Sequence, residues 1–151
     1  MAVIGIDSSG KAGQPPIYMV AVRDGDYRCV HLSPSAEYRY RGAPRWKYKI
    51  TAALIFRAAN PIFVTGDALE IDEDFVGHSK QIESYVTRLF ISLRRAKPEI
   101  YFSNRLGSER VRRADVHTKL AKGGLITIHE SDPDLEKEFK ILGAHRASSR
   151  V

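Results

Sequence analysis

The 151 residues have the length of one ordinary domain, and a composition of 43% hydrophobic and 28% charged residues argues against both a disordered chain and a membrane protein. A net charge of +6 favours an acidic partner such as a nucleic acid. The single cysteine excludes an internal disulfide and a zinc site built from clustered cysteines.

The first third of the chain predicts three strands joined by hairpins. Residues 2–7 form a short apolar run that ends in Asp7 and a loop of small residues. Residues 17–23 and 27–32 are two further strand-like runs, and Gly25 between them is expected to supply the positive φ of a tight turn.

The middle of the chain predicts alternating helices and strands. Apolar residues recur at helical spacing over 48–59 and 80–96, and each stretch stops next to a proline. Between them, residues 62–66 predict a fourth strand that ends on Asp67. Residues 99–103 predict a fifth strand.

The last third predicts two more helices before a loose tail. The predicted elements are a helix over 108–122 with Ser108 as N-cap, a short strand over 125–129, a helix over 134–142 and a tail over 144–151. The domain is therefore expected to cover residues 1–143.

Three hairpin-linked strands followed by helix-separated strands predict a mixed α/β fold, with a five-stranded sheet flanked by helices. If the first and fourth strands are parallel neighbours, their carboxyl ends meet at the edge where such sheets bind ligands. Asp7 and Asp67 are both expected at that edge.

These two carboxylates repel each other unless a proton or a cation lies between them, and hard divalent cations prefer oxygen ligands. We therefore expect Asp7 and Asp67 to bind Mg²⁺ or Mn²⁺. Asp115 is the expected third acid, because its helix can cross the same sheet edge. The other candidates for this third position are Glu130, Asp132 and Asp134.

Two short motifs resemble a known family. Gly5-Ile6-Asp7-Ser8-Ser9-Gly10-Lys11 resembles the opening motif of type 2 ribonuclease H, and Ala114-Asp115 with Leu120-Ala121-Lys122 is similar to a later motif of that family. The order of strands resembles the ribonuclease H-like superfamily. The resemblance implies a ribonuclease H-like fold in which Asp7, Asp67 and Asp115 are catalytic and surround magnesium. Ser8 stands where the type 2 enzymes carry glutamate.

Basic residues are concentrated in two places. Residues 38–49 interleave five cations with three tyrosines and the only tryptophan, a pattern typical of nucleic-acid binding. A second group, Arg105, Arg110, Arg112, Arg113, Lys119 and Lys122, flanks Asp115. The residues expected to bind nucleic acid are Ser8, Gly10, Lys11, Arg39, Arg41, Arg45, Trp46, Lys47, Arg112 and Arg113.

These features predict a metal-dependent nuclease that cuts RNA in an RNA/DNA hybrid or another structured nucleic acid. The alternatives are a non-catalytic nucleic-acid-binding module of the same fold, which Ser8 favours, and a Holliday-junction-type resolvase. No apolar run approaches the roughly 20 residues that cross a bilayer, and Met1 leads directly into a strand-like segment. We therefore expect a cytoplasmic protein with no membrane partner.

Overall fold

A computed structural model describes residues 1–73, 75, 77–103 and 108–143. The first half contains strands β1 (Val3–Lys11), β2 (Gln14–Arg23) and β3 (Asp26–Leu32), then helices α1 (Pro34–Tyr38) and α2 (Trp46–Ala59). The second half contains β4 (Ala68–Asp72), α3 (Ser79–Arg94), β5 (Glu99–Ser103), α4 (Glu109–Lys122), β6 (Glu130–Ser131) and α5 (Glu136–Ile141).

Within these ranges six strands form one mixed sheet in the order β5-β4-β1-β2-β3-β6. The hairpin-linked strands β1, β2 and β3 are antiparallel, whereas β4 is parallel to β1 and β5 is parallel to β4. The prediction of a mixed α/β fold flanked by helices is confirmed. The sheet gains a sixth, two-residue strand, because β6 pairs in parallel with β3.

Two predicted strands are wrong. The β-branched run 62–66 forms no strand: a short 3-10 helix covers Asn60–Ile62, and Gly66 at φ 101° turns the chain just before β4 begins. The run 125–129 is also outside the sheet, and pairing with β3 starts only at Glu130. The predicted tail, 144–151, lies outside the described residues.

The four predicted helices are confirmed, with ends that shift by one or two residues. Ser108 caps α4 as expected, since its hydroxyl accepts a hydrogen bond from the Val111 N–H at 3.1 Å. Helix α1 is an addition, and its Ser33-Pro34 start has the ordinary form of an N-cap followed by proline. In the β2–β3 turn, Asp24 and not Gly25 adopts the positive φ, at 52°.

The sheet buries a different cluster on each face. Ile4 and Ile6 point into the larger core, which packs against α2 and α3. Gly5 alternates with them and faces α4, where a Cβ atom would overlap the carbonyl oxygen of Arg110. A side chain at position 5 would therefore hold α4 away from β1. Of the helices described, none has the length and apolar character needed to span a membrane.

We expect Gly5→Ala to destabilise the fold by roughly 1–3 kcal/mol, because backbone atoms of α4 must move to admit the methyl group. Gly25→Ala is the matched control, since no heavy atom lies within 4 Å of its added Cβ. Urea unfolding followed by circular dichroism measures both variants. Equal stability of the two would show that α4 does not depend on the close approach at Gly5.

Candidate functional site

Two aspartates lie level with each other on the central parallel strands. Ile6 of β1 is opposite Ile71 of β4, so the next residues along the two strands, Asp7 and Asp72, are neighbours. Adjacent strands lie about 4.8 Å apart, and the two carboxylates therefore belong to one site.

Side-chain alternation directs both aspartates toward the α4 face of the sheet. Asp7 is paired across the hairpin with Val20, which packs in the smaller cluster with Ala114 of α4. Asp72 follows Ile71, whose side chain belongs to the larger core on the other face. Asp7 is only 5% exposed, so its carboxylate is nearly withdrawn from solvent.

Two further polar groups extend the site along β4 and β5. Glu70 lies two residues before Asp72 on the same face and is buried, with its Oε1 3.8 Å from Nη1 of Arg110. Ser103 is opposite Asp72 in the register of β4 and β5. Among the described residues, neither Glu70 Oε1 nor Ser103 Oγ has a hydrogen-bond partner. Buried polar atoms of this kind suit a site that holds water or a polar ligand.

Asp67 does not join this site. It precedes β4 and lies at the opposite end of the strand from Asp72. Its Oδ2 accepts hydrogen bonds from Arg23 Nε at 2.7 Å and from the Val64 N–H at 2.8 Å, and its Oδ1 accepts one from the Ala2 N–H at 2.8 Å. The expected meeting of Asp7 with Asp67 thus depended on the wrong strand, and Asp72 occupies the place predicted for Asp67.

Asp115 lies on α4, which packs across β1 and β2 on the face that carries Asp7. Two residues further on, the His117 ring contacts Tyr27 at the start of β3, with centroids 5.0 Å apart. Residues two apart on a helix project in roughly opposite directions, so Asp115 is on the flank toward the carboxyl end of β1. Its Oδ2 forms an ion pair with Lys119 at 3.1 Å. Among the described residues, Asp115 does not form a metal-binding group with Asp7 and Asp72.

The donor set fits one kind of metal better than others. Among the described residues, no group of three or more His, Cys, Asp or Glu side chains is placed to hold a metal ion, which disfavours a closed zinc or calcium cage. Mg²⁺ is typically bound by one or two carboxylates, several waters and substrate phosphates. The neighbouring Asp7 and Asp72 carboxylates fit that mode of binding.

The other candidates for the third acid lie at the far edge of the sheet, near β3 and β6, where each one has a structural partner. The contacts are Glu130 Oε2 with Arg57 Nη1 at 3.0 Å, Asp132 Oδ1 with the Ser33 N–H at 2.6 Å, and Asp134 Oδ1 with Arg39 Nη2 at 3.5 Å. Strands β2 and β3 separate them from Asp7.

The basic segment 38–49 is partly used inside the fold. Arg41 donates to the fully buried Glu37 at 2.7 Å, and Arg39 reaches Glu136 at 3.3 Å. Arg45 and Lys47, in contrast, are exposed on the surface. The segment therefore contributes fewer cations to a nucleic-acid surface than its sequence suggests.

The β1–β2 turn brings the remaining predicted contacts to the same sheet edge. The Ser8 hydroxyl donates to the Gly10 carbonyl at 3.0 Å, which shapes the end of β1. Lys11 Nζ lies 5.3 Å from the centre of the Phe75 ring, and Phe75 packs against the larger core on the α2–α3 face of the sheet. Lys11 is thus on that face, whereas the Asp7 and Asp72 side chains face α4.

The second basic group lies on the exposed side of α4. Arg112 is exposed one turn before Asp115, and Arg113 is exposed with its Nη2 2.5 Å from Glu109 Oε1. Arg105 lies outside the described residues. Helix α4 therefore presents cations beside Asp115, as the sequence predicted.

Sequence reasoning missed Asp72, although a signal for it was present. Leu69 and Ile71 alternate with Glu70 and Asp72, the period-2 pattern of a strand with one buried face. The run at 62–66 is more apolar, and the fourth strand was therefore predicted there.

No protein-family model, curated protein or solved structure matches the chain.

Asp67→Asn should remove a pH-dependent part of the stability. Burial alone raises the pKa of Asp67, but the hydrogen bonds from Arg23 and from two backbone N–H groups outweigh it and lower the pKa from 3.8 to about 2. A lowered pKa stabilises the fold above the ordinary value near 4, and this stabilisation is lost as the pH falls through 2. The contribution amounts to at most about 2 kcal/mol.

Urea unfolding between pH 6 and pH 2.5 measures this effect. Asp67→Asn should be less stable at pH 6, and its difference from the wild type should shrink below pH 4. The control is Asp24→Asn, because Asp24 is also near Arg23, at 3.7 Å, but its side chain is 79% exposed. If the free energies of unfolding of wild type and Asp67→Asn differed by the same amount at every pH, a depressed pKa at Asp67 would be contradicted.

Proposed function

We propose that this chain is a metal-dependent nuclease of the ribonuclease H-like type, with Asp7 and Asp72 as its central carboxylate pair. The observation that carries the proposal is that these two residues lie side by side on adjacent parallel strands, on the face covered by the cationic helix α4. The substrate class is nucleic acid, either RNA in an RNA/DNA hybrid or another structured form.

The sheet supports this proposal through its connectivity. Three antiparallel strands followed by two parallel ones, with β1 beside both β2 and β4, is the arrangement that the resemblance implies. Asp7 lies on β1, but the strand continues to Lys11, so Asp7 is inside the strand and not at its predicted end. The proposal differs from the sequence expectation at one residue, since Asp72 takes the role first given to Asp67.

The protein's own groups suit phosphodiester hydrolysis in three ways. Asp7 and Asp72 provide two carboxylates that can orient a water or a hydrated cation. Glu70 provides a further buried carboxylate on the same face. Lys11 at the end of β1 provides a positive charge for a phosphate, which positions the strand without reading its sequence.

Asp7 and Asp72 would hold Mg²⁺ or Mn²⁺, which supplies Lewis-acid polarisation of the phosphodiester and a nucleophilic water at neutral pH. Asp115 on α4 is the candidate for a further ligand.

A second candidate function is a nucleic-acid-binding module of the same fold without hydrolysis. Ser8 in place of an acid favours it, as does the lack of a three-ligand group among the described residues. The basic edge would then remain, while Asp7 and Asp72 would serve only the polar interior of the site.

Separate Asp7→Asn and Asp72→Asn variants test the proposal. Each should reduce Mg²⁺-dependent cleavage at least about 100-fold, because the carboxylate pair loses the charge that holds the cation. Labelled RNA/DNA hybrid, single-stranded RNA and a four-way junction are incubated with Mg²⁺, Mn²⁺ or EDTA, and the products are separated on denaturing gels. Asp26→Asn, an exposed acid at the start of β3, is the control and should cut like the wild type.

Full activity of folded Asp72→Asn would contradict the pairing of Asp7 with Asp72. Cleavage that continues in EDTA would contradict the metal. Salt-sensitive binding without cleavage by the wild type would favour the binding module.

A further inference from the structure

An aromatic and cationic surface lies on helices α1 and α2 and the loop between them. We define the α1–α2 platform as Tyr38, Arg41, Trp46 and Lys47. The Arg41 guanidinium carbon is 5.2 Å from the Trp46 ring centroid and 6.0 Å from that of Tyr38. Lys47 Nζ is 5.8 Å from the Trp46 ring. Two aromatic rings are thus bridged by one guanidinium, with a lysine at the end.

Buried residues of α1 and the loop that follows it hold the platform in place. Arg41 is anchored by Glu37, whose Oε2 also accepts the Gly13 N–H at 2.9 Å. The neighbouring Tyr40 is buried, and its hydroxyl accepts the Leu135 N–H at 2.7 Å. A surface that is already ordered loses little conformational entropy when a ligand binds.

Tyr38 is not needed to complete the core. It is 73% exposed, whereas Tyr40, two residues later, is only 5% exposed. Cation–π contacts of an exposed ring contribute only modestly to stability. The exposed ring therefore offers an aromatic face to a partner.

The platform adjoins the β1–β2 turn. The Lys47 side chain lies against Gly13 in this turn, and the same turn carries Lys11. Lys11 lies over Phe75, which packs against the larger core. The exposed Arg45 adds a further cation beside the platform.

We propose that the α1–α2 platform binds an unpaired stretch of nucleic acid, with bases stacked on Tyr38 and Trp46 and phosphates held by Arg45, Lys47 and Lys11. Stacking on aromatic side chains requires an open base face, which a duplex does not offer. This inference rests on the proposed function in one respect, that the bound strand leads toward Asp7 and Asp72. The substrate is then one that carries a single-stranded segment.

Trp46, the only tryptophan, makes binding directly visible. The full chain carrying Asp7→Asn is titrated in EDTA with oligo(dT) of about 12 nucleotides, within the usual site size, and with a blunt duplex of equal length. Oligo(dT) should quench Trp46 fluorescence to saturation, and the duplex should bind at least about 10-fold more weakly. Raising the salt from about 50 to 200 mM should weaken the binding of oligo(dT).

Tyr38→Ala should raise the Kd for oligo(dT) about 5-fold or more through loss of one stack, and Tyr38→Phe should restore it. Tyr101→Ala is the matched control, because Tyr101 is an exposed tyrosine on β5. Lys47→Ala should reduce the slope of binding against salt concentration. Circular dichroism establishes that each variant is folded.

Equal binding of duplex and oligo(dT), or an unchanged Kd in folded Tyr38→Ala, would overturn the platform. The cleavage assay separates this result from the fate of the nuclease. Metal-dependent cleavage by a protein that fails the oligo(dT) test would leave the nuclease standing and remove the platform. Specific oligo(dT) binding without any cleavage would do the reverse.

Discussion

The carboxylate of Asp67 joins the starts of two strands and so sets the register on which the candidate site depends. It binds the Ala2 N–H, while the Ala68 N–H donates to the Ala2 carbonyl at 3.0 Å, and Val3 is then opposite Ala68. Arg23 adds β2 to the same cluster. Because Val3 is opposite Ala68, Asp7 and Asp72, each four residues further along, lie side by side.

A register slip of one residue would destroy that arrangement. Side chains alternate between the two faces of a strand, so a slip in β4 would exchange Glu70 and Asp72 with Leu69 and Ile71. The acids would enter the larger core and the apolar residues would face α4. The Arg23–Asp67 ion pair at one end of β4 therefore fixes the register that places the polar residues at the other end. Gly5 in turn allows α4 to pack closely against β1.

The sequence predicted the elements whose patterns are local. Apolar, strand-like runs identified the first three strands, helical spacing identified the helices at 48–59 and 80–96, and Ser108 was recognisable as a cap. It failed where two segments competed for one strand: the run at 62–66 is more β-branched than Ala68–Asp72, yet the second pairs with β1. The deciding partner of Asp67 is Arg23, 44 residues away, which no local pattern reveals. Asp7 could be chosen from the sequence, whereas Asp72 could be identified only from the pairing of β4 with β1.

The arginines and lysines also divide into two groups that the sequence cannot separate. Arginines hold buried carboxylates, as Arg23 does with Asp67, Arg41 with Glu37, and Arg57 with Glu138 at 2.6 Å. Their planar forks match such carboxylates with two donors, and removing one partner would leave a buried charge. These cations belong to the fold, and because an acid matches each of them, the net charge of +6 comes from the remaining residues.

The cations at the edge near Asp7 are of a different kind. Lys11 and Lys47 carry compact charges on flexible stems, and Arg45 is exposed beside them. Lysine follows a phosphate as a point charge and imposes little geometry on it. Rigid aromatic rings then have to orient the bound strand. The platform provides such rings, because Glu37 anchors Arg41 between Tyr38 and Trp46. Aromatic rings orient bases by stacking on them, and lysines attract the phosphates. Together they favour the binding of a flexible single strand over a rigid duplex.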